Sequence, residues 1–85
     1  MAYKITFTKQ AADDIGKLDT IVKKQLKKKF LYFSQLDDIK AVAKKLHDFD
    51  SGEYRLRVGN YRIIFDLDKH TLVILRIVHR KDAYR

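Results

Sequence analysis

Residues 54–65, Tyr54-Arg55-Leu56-Arg57-Val58-Gly59-Asn60-Tyr61-Arg62-Ile63-Ile64-Phe65, set two alternating runs on either side of Gly59-Asn60. A two-residue break containing glycine is a β-hairpin signal, because glycine reaches the positive φ that tight turns require. The turn fixes the pairing: Val58 opposes Tyr61, Arg57 opposes Arg62, and Leu56 opposes Ile63. Side chains alternate along a strand, so Tyr54, Leu56, Val58, Tyr61, Ile63, Phe65 and Leu67 share an inward face. Arg55, Arg57 and Arg62 share the other. Like charges directly across a ladder are destabilising, and an anionic ligand is the simplest compensation for Arg57 against Arg62. The alternative is a carboxylate such as Asp66, or arginines splayed into water.

A further strand is expected over 72–79, and its faces depend on the preceding loop. A three-residue loop, 68–70, sends Val73, Leu75 and Ile77 inward and sets Arg76, Val78 and Arg80 beside Arg62. A two-residue loop inverts the faces and drives Arg76 toward the core, so the first arrangement buries the better set. A bulge near His79 would realign the strand end. Residues 78–85 then leave the sheet as a basic tail containing Tyr84.

Toward the N-terminus, Tyr3, Ile5 and Phe7 alternate with Lys4 and Thr6, the pattern of a half-buried strand. Thr8 offers an N-cap for a helix through about Leu18 with Ala12, Ile15 and Leu18 on one side. Asp19 and Thr20 can cap a second helix, whose Val22, Leu26, Phe30, Phe33 and Leu36 form one apolar stripe. Lys23, Lys24 and Lys27 lie largely off that stripe, as a solvated face or a nucleic-acid docking face. Residues 37–52 are mixed, with a short helical stretch around 39–45 and an acidic loop over 48–53. The order β-α-α-β-β-β gives an α+β domain: two N-terminal helices on one face of a mostly antiparallel four-stranded sheet.

The chain has 85 residues, 46% of them hydrophobic, which suits one domain spanning 1–85. With no cysteine it has neither a disulfide nor a cysteine-based zinc site. The N-terminus shows no signal-like apolar run, so a cytoplasmic protein without membrane attachment is expected. Nineteen Lys and Arg against eleven Asp and Glu give +8, favouring a polyanionic partner. Eleven of thirteen lysines precede Asp50, whereas all six arginines follow Glu53. Arginine's planar fork grips phosphate with two bonds, and so the chemistry is expected in the second half.

The 54–65 segment, followed by Ile77-Val78-His79-Arg80-Lys81-Asp82-Ala83-Tyr84, resembles RelE/ParE toxins of type II toxin-antitoxin systems. The resemblance spans the chain, but only the Tyr-Arg-x-Arg-x-Gly-x-Tyr-Arg segment and the His-Arg…Tyr ending are specific. Its RelE branch implies a toxin that enters the ribosome and cleaves mRNA. A cognate antitoxin would hold it inactive in a hetero-oligomeric complex. Its ParE branch implies inhibition of DNA gyrase on the same fold. The resemblance carries catalytic roles to Arg62, Arg80 and Tyr84, and basic positions, lysines in the best-known members, to Arg55 and Arg57. Arginine keeps its proton, so neither of those two can readily act as a base.

Cleavage by RNA's own 2′-OH needs a proton acceptor, positive charge on the developing phosphorane and a proton for the departing 5′-oxygen, with no metal or other cofactor. Arg57, Arg62 and Arg80 can supply charge. His79 is the side-chain type best tuned for proton transfer near neutrality, and otherwise a packed strand-end histidine. Tyr84 can stack on a base, orient phosphate or donate a proton, or simply anchor the tail. Arg55, Lys81, Arg85, Lys23, Lys24 and Lys27 are expected to bind RNA of the message or ribosome. Asp48, Asp50 and Glu53 raise a metal-nuclease alternative, but they share one loop and lack histidine support at an established spacing. An inactive RNA- or antitoxin-binding module is the third reading.

Overall fold

Thr8 ends the first strand and starts the first helix. The structure, a computed structural model, describes residues 3–37, 39, 44, 45 and 54–83. Strand β1 is Lys4–Phe7. Thr8 follows in extended backbone, and its Oγ1 accepts from the Ala11 N–H at 3.1 Å, capping α1, Lys9–Gly16. Asp19 caps α2, Thr20–Ser34, accepting from the Val22 N–H at 2.9 Å. Both caps fall where the Thr and Asp side chains indicate.

The sheet contains β2 (Lys44–Lys45), β3 (Tyr54–Val58), β4 (Tyr61–Asp68) and β5 (Thr71–His79), in the order β1-β5-β4-β3-β2. It is mixed: β1 runs parallel to β5, and the other pairs are antiparallel. The expected element order holds, with two additions. Lys44 and Lys45 pair with β3 as a short strand where a helical stretch was anticipated. A single turn, α3 (Arg80–Ala83), follows β5.

Around Gly59-Asn60 the register is as read from the turn, with Gly59 at φ +58 and Arg57 opposite Arg62. The core gathers Leu26 and Phe33 from α2, Ala11 from α1, Ile39, and the inward residues Leu56, Val58, Ile63, Phe65, Leu72, Ile74 and Ile77. Full burial of each large side chain is worth about 1.5–3 kcal/mol against about 1 for a helix cap, so packing rather than capping fixes the register. On α1 it is Ala11, not Ala12, that is buried. Ala11-Ile15-Leu18 has spacings of four and three, as helical as the set with Ala12.

The β4–β5 connection corrects the expected loop. Asp68 pairs with Thr71 across a two-residue turn, Lys69-His70, and Leu72 and Ile74 face inward instead of Val73 and Leu75. The anticipated penalty, an arginine turned into the core, is avoided by a bulge. Phe65 pairs with Ile74 but Ile64 pairs with Arg76, leaving Leu75 as the extra residue. The parity flips there, four residues before His79, and Ile77 turns inward opposite Ile63. An unpaired charge in the core would cost far more than one irregular ladder step.

Candidate nucleic-acid interface

Arg57 and Arg62 lie opposite one another on the sheet face turned away from the helices. They differ in environment. Arg57 is exposed on β3, whereas Arg62, on the central strand β4, is 6% exposed and engaged within the fold. Arg55, two residues before Arg57 and opposite Ile64, is half-buried on the same face. Val78 lies across from Arg62 on β5, as expected.

Arg80 does not continue that row, because β5 ends at His79. It opens α3, exposed, and its backbone N–H donates to the Asn60 carbonyl at 2.7 Å. The hairpin turn that aligns Arg57 with Arg62 therefore also anchors Arg80. Lys81 is exposed on the same turn, and its N–H donates to His79 Nδ1 at 3.2 Å. A neutral imidazole accepting at Nδ1 carries its proton on Nε2.

His79 is opposite Tyr61, on the inward parity, and the two rings meet edge to face with centroids 5.1 Å apart. This separates His79 from Arg57 and Arg62, which point to the other face. The arginines and the histidine can reach a common ligand only around the end of β5. Asp14, Lys17, Tyr61 and His79 line a cleft of about 400 Å³ on the histidine side.

Arg76 has the register parity of Arg62, yet it is drawn to α1. Its Nε donates to Asp14 Oδ2 at 2.8 Å and its Nη2 to Oδ1 at 3.3 Å, while the Ile77 N–H also donates to Oδ2 at 2.9 Å. Burial alone would raise the Asp14 carboxyl. The Arg76 guanidinium and the Ile77 N–H outweigh it, with charge from Arg76 and Lys17, and hold the pKa below the ordinary carboxylate value. Asp14 holds Arg76 firmly charged in return. Sequence reading missed this pair because 62 residues separate its members. No spacing or motif in the sequence connects the two.

Lys23, Lys24 and Lys27 are exposed on α2, on the helix side of the sheet and not beside Arg57 and Arg62. Lys23 and Lys27 border an apolar groove of about 460 Å³ whose walls include Phe7, Leu26, Phe30 and Leu31. Phe7 and Leu31 are 43% and 62% exposed. Tyr84, Arg85 and the acidic group Asp48, Asp50 and Glu53 lie outside the described residues. Among the described residues, no helix is long and apolar enough to cross a membrane.

Residues 5–84 match the family of ParE toxins of type II toxin-antitoxin systems. Toxin RelE3 of Methanocaldococcus jannaschii is 31% identical over 95% of this chain and 94% of its own. Toxin RelG of Mycobacterium tuberculosis is 32% identical over 100% of this chain and 99% of its own. A solved toxin-antitoxin complex, RelBE2 of Mycobacterium tuberculosis, superposes with a TM-score of 0.82 at 31% identity, covering 94% of this chain and 93% of that one. A small α+β toxin is thus the class that fold and relatives define. The chain belongs to the RelE/ParE superfamily of type II toxins, on its RelE-like branch.

Proposed function

We propose that this toxin is a ribosome-dependent mRNA endonuclease acting in the cytoplasm and restrained by a cognate antitoxin. The observation that carries the reading is the directly opposed Arg57–Arg62 pair beside the Asn60-anchored Arg80. Arg57 and Arg80 are exposed near the buried Arg62, which is engaged within the fold, and their planar guanidinium forks can each grip phosphate with two bonds. In the reaction, the 2′-oxygen attacks the adjacent phosphorus and the P–O5′ bond breaks, leaving a 2′,3′-cyclic phosphate. One proton leaves the 2′-OH and one reaches the 5′-oxygen. Arg57, Arg62 and Arg80 stabilise the phosphorane, Arg55, Lys81 and Arg85 hold the backbone, and Tyr84 orients the scissile nucleotide or protonates the leaving oxygen. His79 supplies acid-base chemistry at the strand end, provided the RNA wraps around it. Lys23, Lys24 and Lys27 contact ribosomal RNA from the helix side.

Solved relatives include toxin-antitoxin complexes, which supports a hetero-oligomeric partner for this chain. The exposed apolar groove edged by Lys23 and Lys27 suits an acidic amphipathic segment of that partner. Mapping mRNA ends by primer extension after induction tests the activity. Cuts in ribosome-bound transcripts that vanish with Arg80→Ala are expected. Intact transcripts with DNA-damage signalling would instead establish gyrase inhibition, the reading that the match to the ParE toxin model favours.

A further inference from the structure

β1 covers the edge of β5 only as far as Ile74, opposite Phe7. Beyond that point β5 would present a bare edge, and the two ends of α1 take the place of a strand. Thr8 N–H donates to the Ile74 carbonyl at 3.0 Å, and its hydroxyl donates to the Leu75 carbonyl at 3.0 Å. Asp14, a turn and a half further on, accepts from the Ile77 N–H and grips the Arg76 guanidinium with both oxygens. The Leu75 bulge lies between these two attachments.

We propose that Asp14 is a positioning residue for the functional end of β5: it fixes His79 and Arg80 and withholds Arg76 from the RNA-binding face. The inference rests on the proposed RNA cleavage for its catalytic consequence, but not for its structural one. The Asp14 side chain is 12% exposed against 41% for Arg76, so its bond to the Ile77 N–H is better shielded from competing water than the ion pair is. From Ile77 the strand runs two residues to His79, and Arg80 is tied on the other side by the Asn60 carbonyl. The strand end is thus held from both flanks, and loss of one leaves it free to fray. Released Arg76, on the parity of Arg62, would add a cation where phosphate binds. Affinity for RNA and rate of cleavage should then move in opposite directions.

The test compares full-length Asp14→Asn with Asp13→Asn, an exposed neighbour that undergoes the same charge change. Amide hydrogen exchange is followed by NMR, and cleavage of ribosome-bound mRNA is measured under saturating and subsaturating conditions. For Asp14→Asn, exchange at Ile77 and Arg80 should accelerate about tenfold or more. Its kcat should fall about tenfold while KM stays level or drops, the pattern of misplaced catalytic groups rather than lost binding. Exchange at Ile77 and Arg80 within twofold of the Asp13→Asn control overturns the assignment, as does an unchanged kcat. If Asp14→Asn fails to fold, acidifying the wild type provides the readout. After correction for intrinsic exchange, Ile77 and Arg80 should open before Ile63 and Leu72, and simultaneous opening overturns the proposal. A wild type that leaves mRNA uncut would refute the nuclease reading, while the exchange comparison still decides the role of Asp14.

Discussion

Arg57 and Arg62 oppose one another directly across the β3–β4 ladder, one exposed and the other buried. Their difference in exposure separates function from stability. Arg57 is exposed while Arg62 is engaged within the fold, so Arg57→Glu should leave stability within about 0.5 kcal/mol of the wild type. The same change places a negative charge where RNA phosphate binds. Cleavage should fall at least a hundredfold, as when a transition-state donor is removed. A nearly unchanged urea midpoint together with lost cleavage is the expected result, and a midpoint that falls with the activity would make Arg57 a structural residue instead.

Lys69 adopts φ +57 at the first position of the β4–β5 turn, the place that Gly59 holds in the β3–β4 turn at φ +58. A lysine there bears steric strain that glycine lacks. Lys69→Gly should therefore stabilise the fold by about 0.5–1 kcal/mol, even though glycine loses more entropy on folding. Thermal unfolding checks the sign. A lower melting temperature would mean that the entropic loss prevails.

The hairpin register, the caps and the apolar stripe of α2 were legible because each is a local relationship: a turn two residues long, an oxygen one turn from an N–H, a spacing of three or four. The loop before β5 was misread because regular alternation was assumed throughout the strand. Leu72 and Ile74 bury well only if a bulge rescues Arg76, and that bulge depends on α1 reaching the strand edge. Such a dependence joins residues about sixty positions apart and leaves no periodic trace. For the site, the opposed Arg57 and Arg62 were readable from the turn. The separation of His79 from them follows from strand parity, since His79 pairs with Tyr61 and not with Arg62.

The Asp14–Arg76 pair also predicts a pH signature. Asp14 has a depressed pKa when folded, so its contribution is present above the unfolded carboxylate value of about 3.9 and disappears as pH falls through the folded value. The stability gap between wild type and Asp14→Asn should be constant from about pH 8 to pH 5 and shrink toward zero at more acidic pH. Denaturant unfolding at pH 7 and at successive steps below about pH 4 follows the loss. A gap that grew on acidification would contradict the depressed pKa.

The apolar groove provides a way to separate restraint from activity. Leu31 is 62% exposed on α2 at the groove, on the helix side of the sheet and away from Arg57 and Arg62. Leu31→Asp puts a buried charge into any apolar antitoxin interface and sets it against the acidic partner expected over Lys23 and Lys27. Antitoxin affinity should drop by about a hundredfold, the scale of a lost hot-spot contact. The isolated toxin should cleave as before, since Leu31 contributes nothing to the core or the arginine face. Titration calorimetry with the cognate antitoxin, paired with mRNA-end mapping, reads both quantities. Full affinity in the variant would place the antitoxin elsewhere, with the basic sheet face and the C-terminal turn as the next surfaces to mutate.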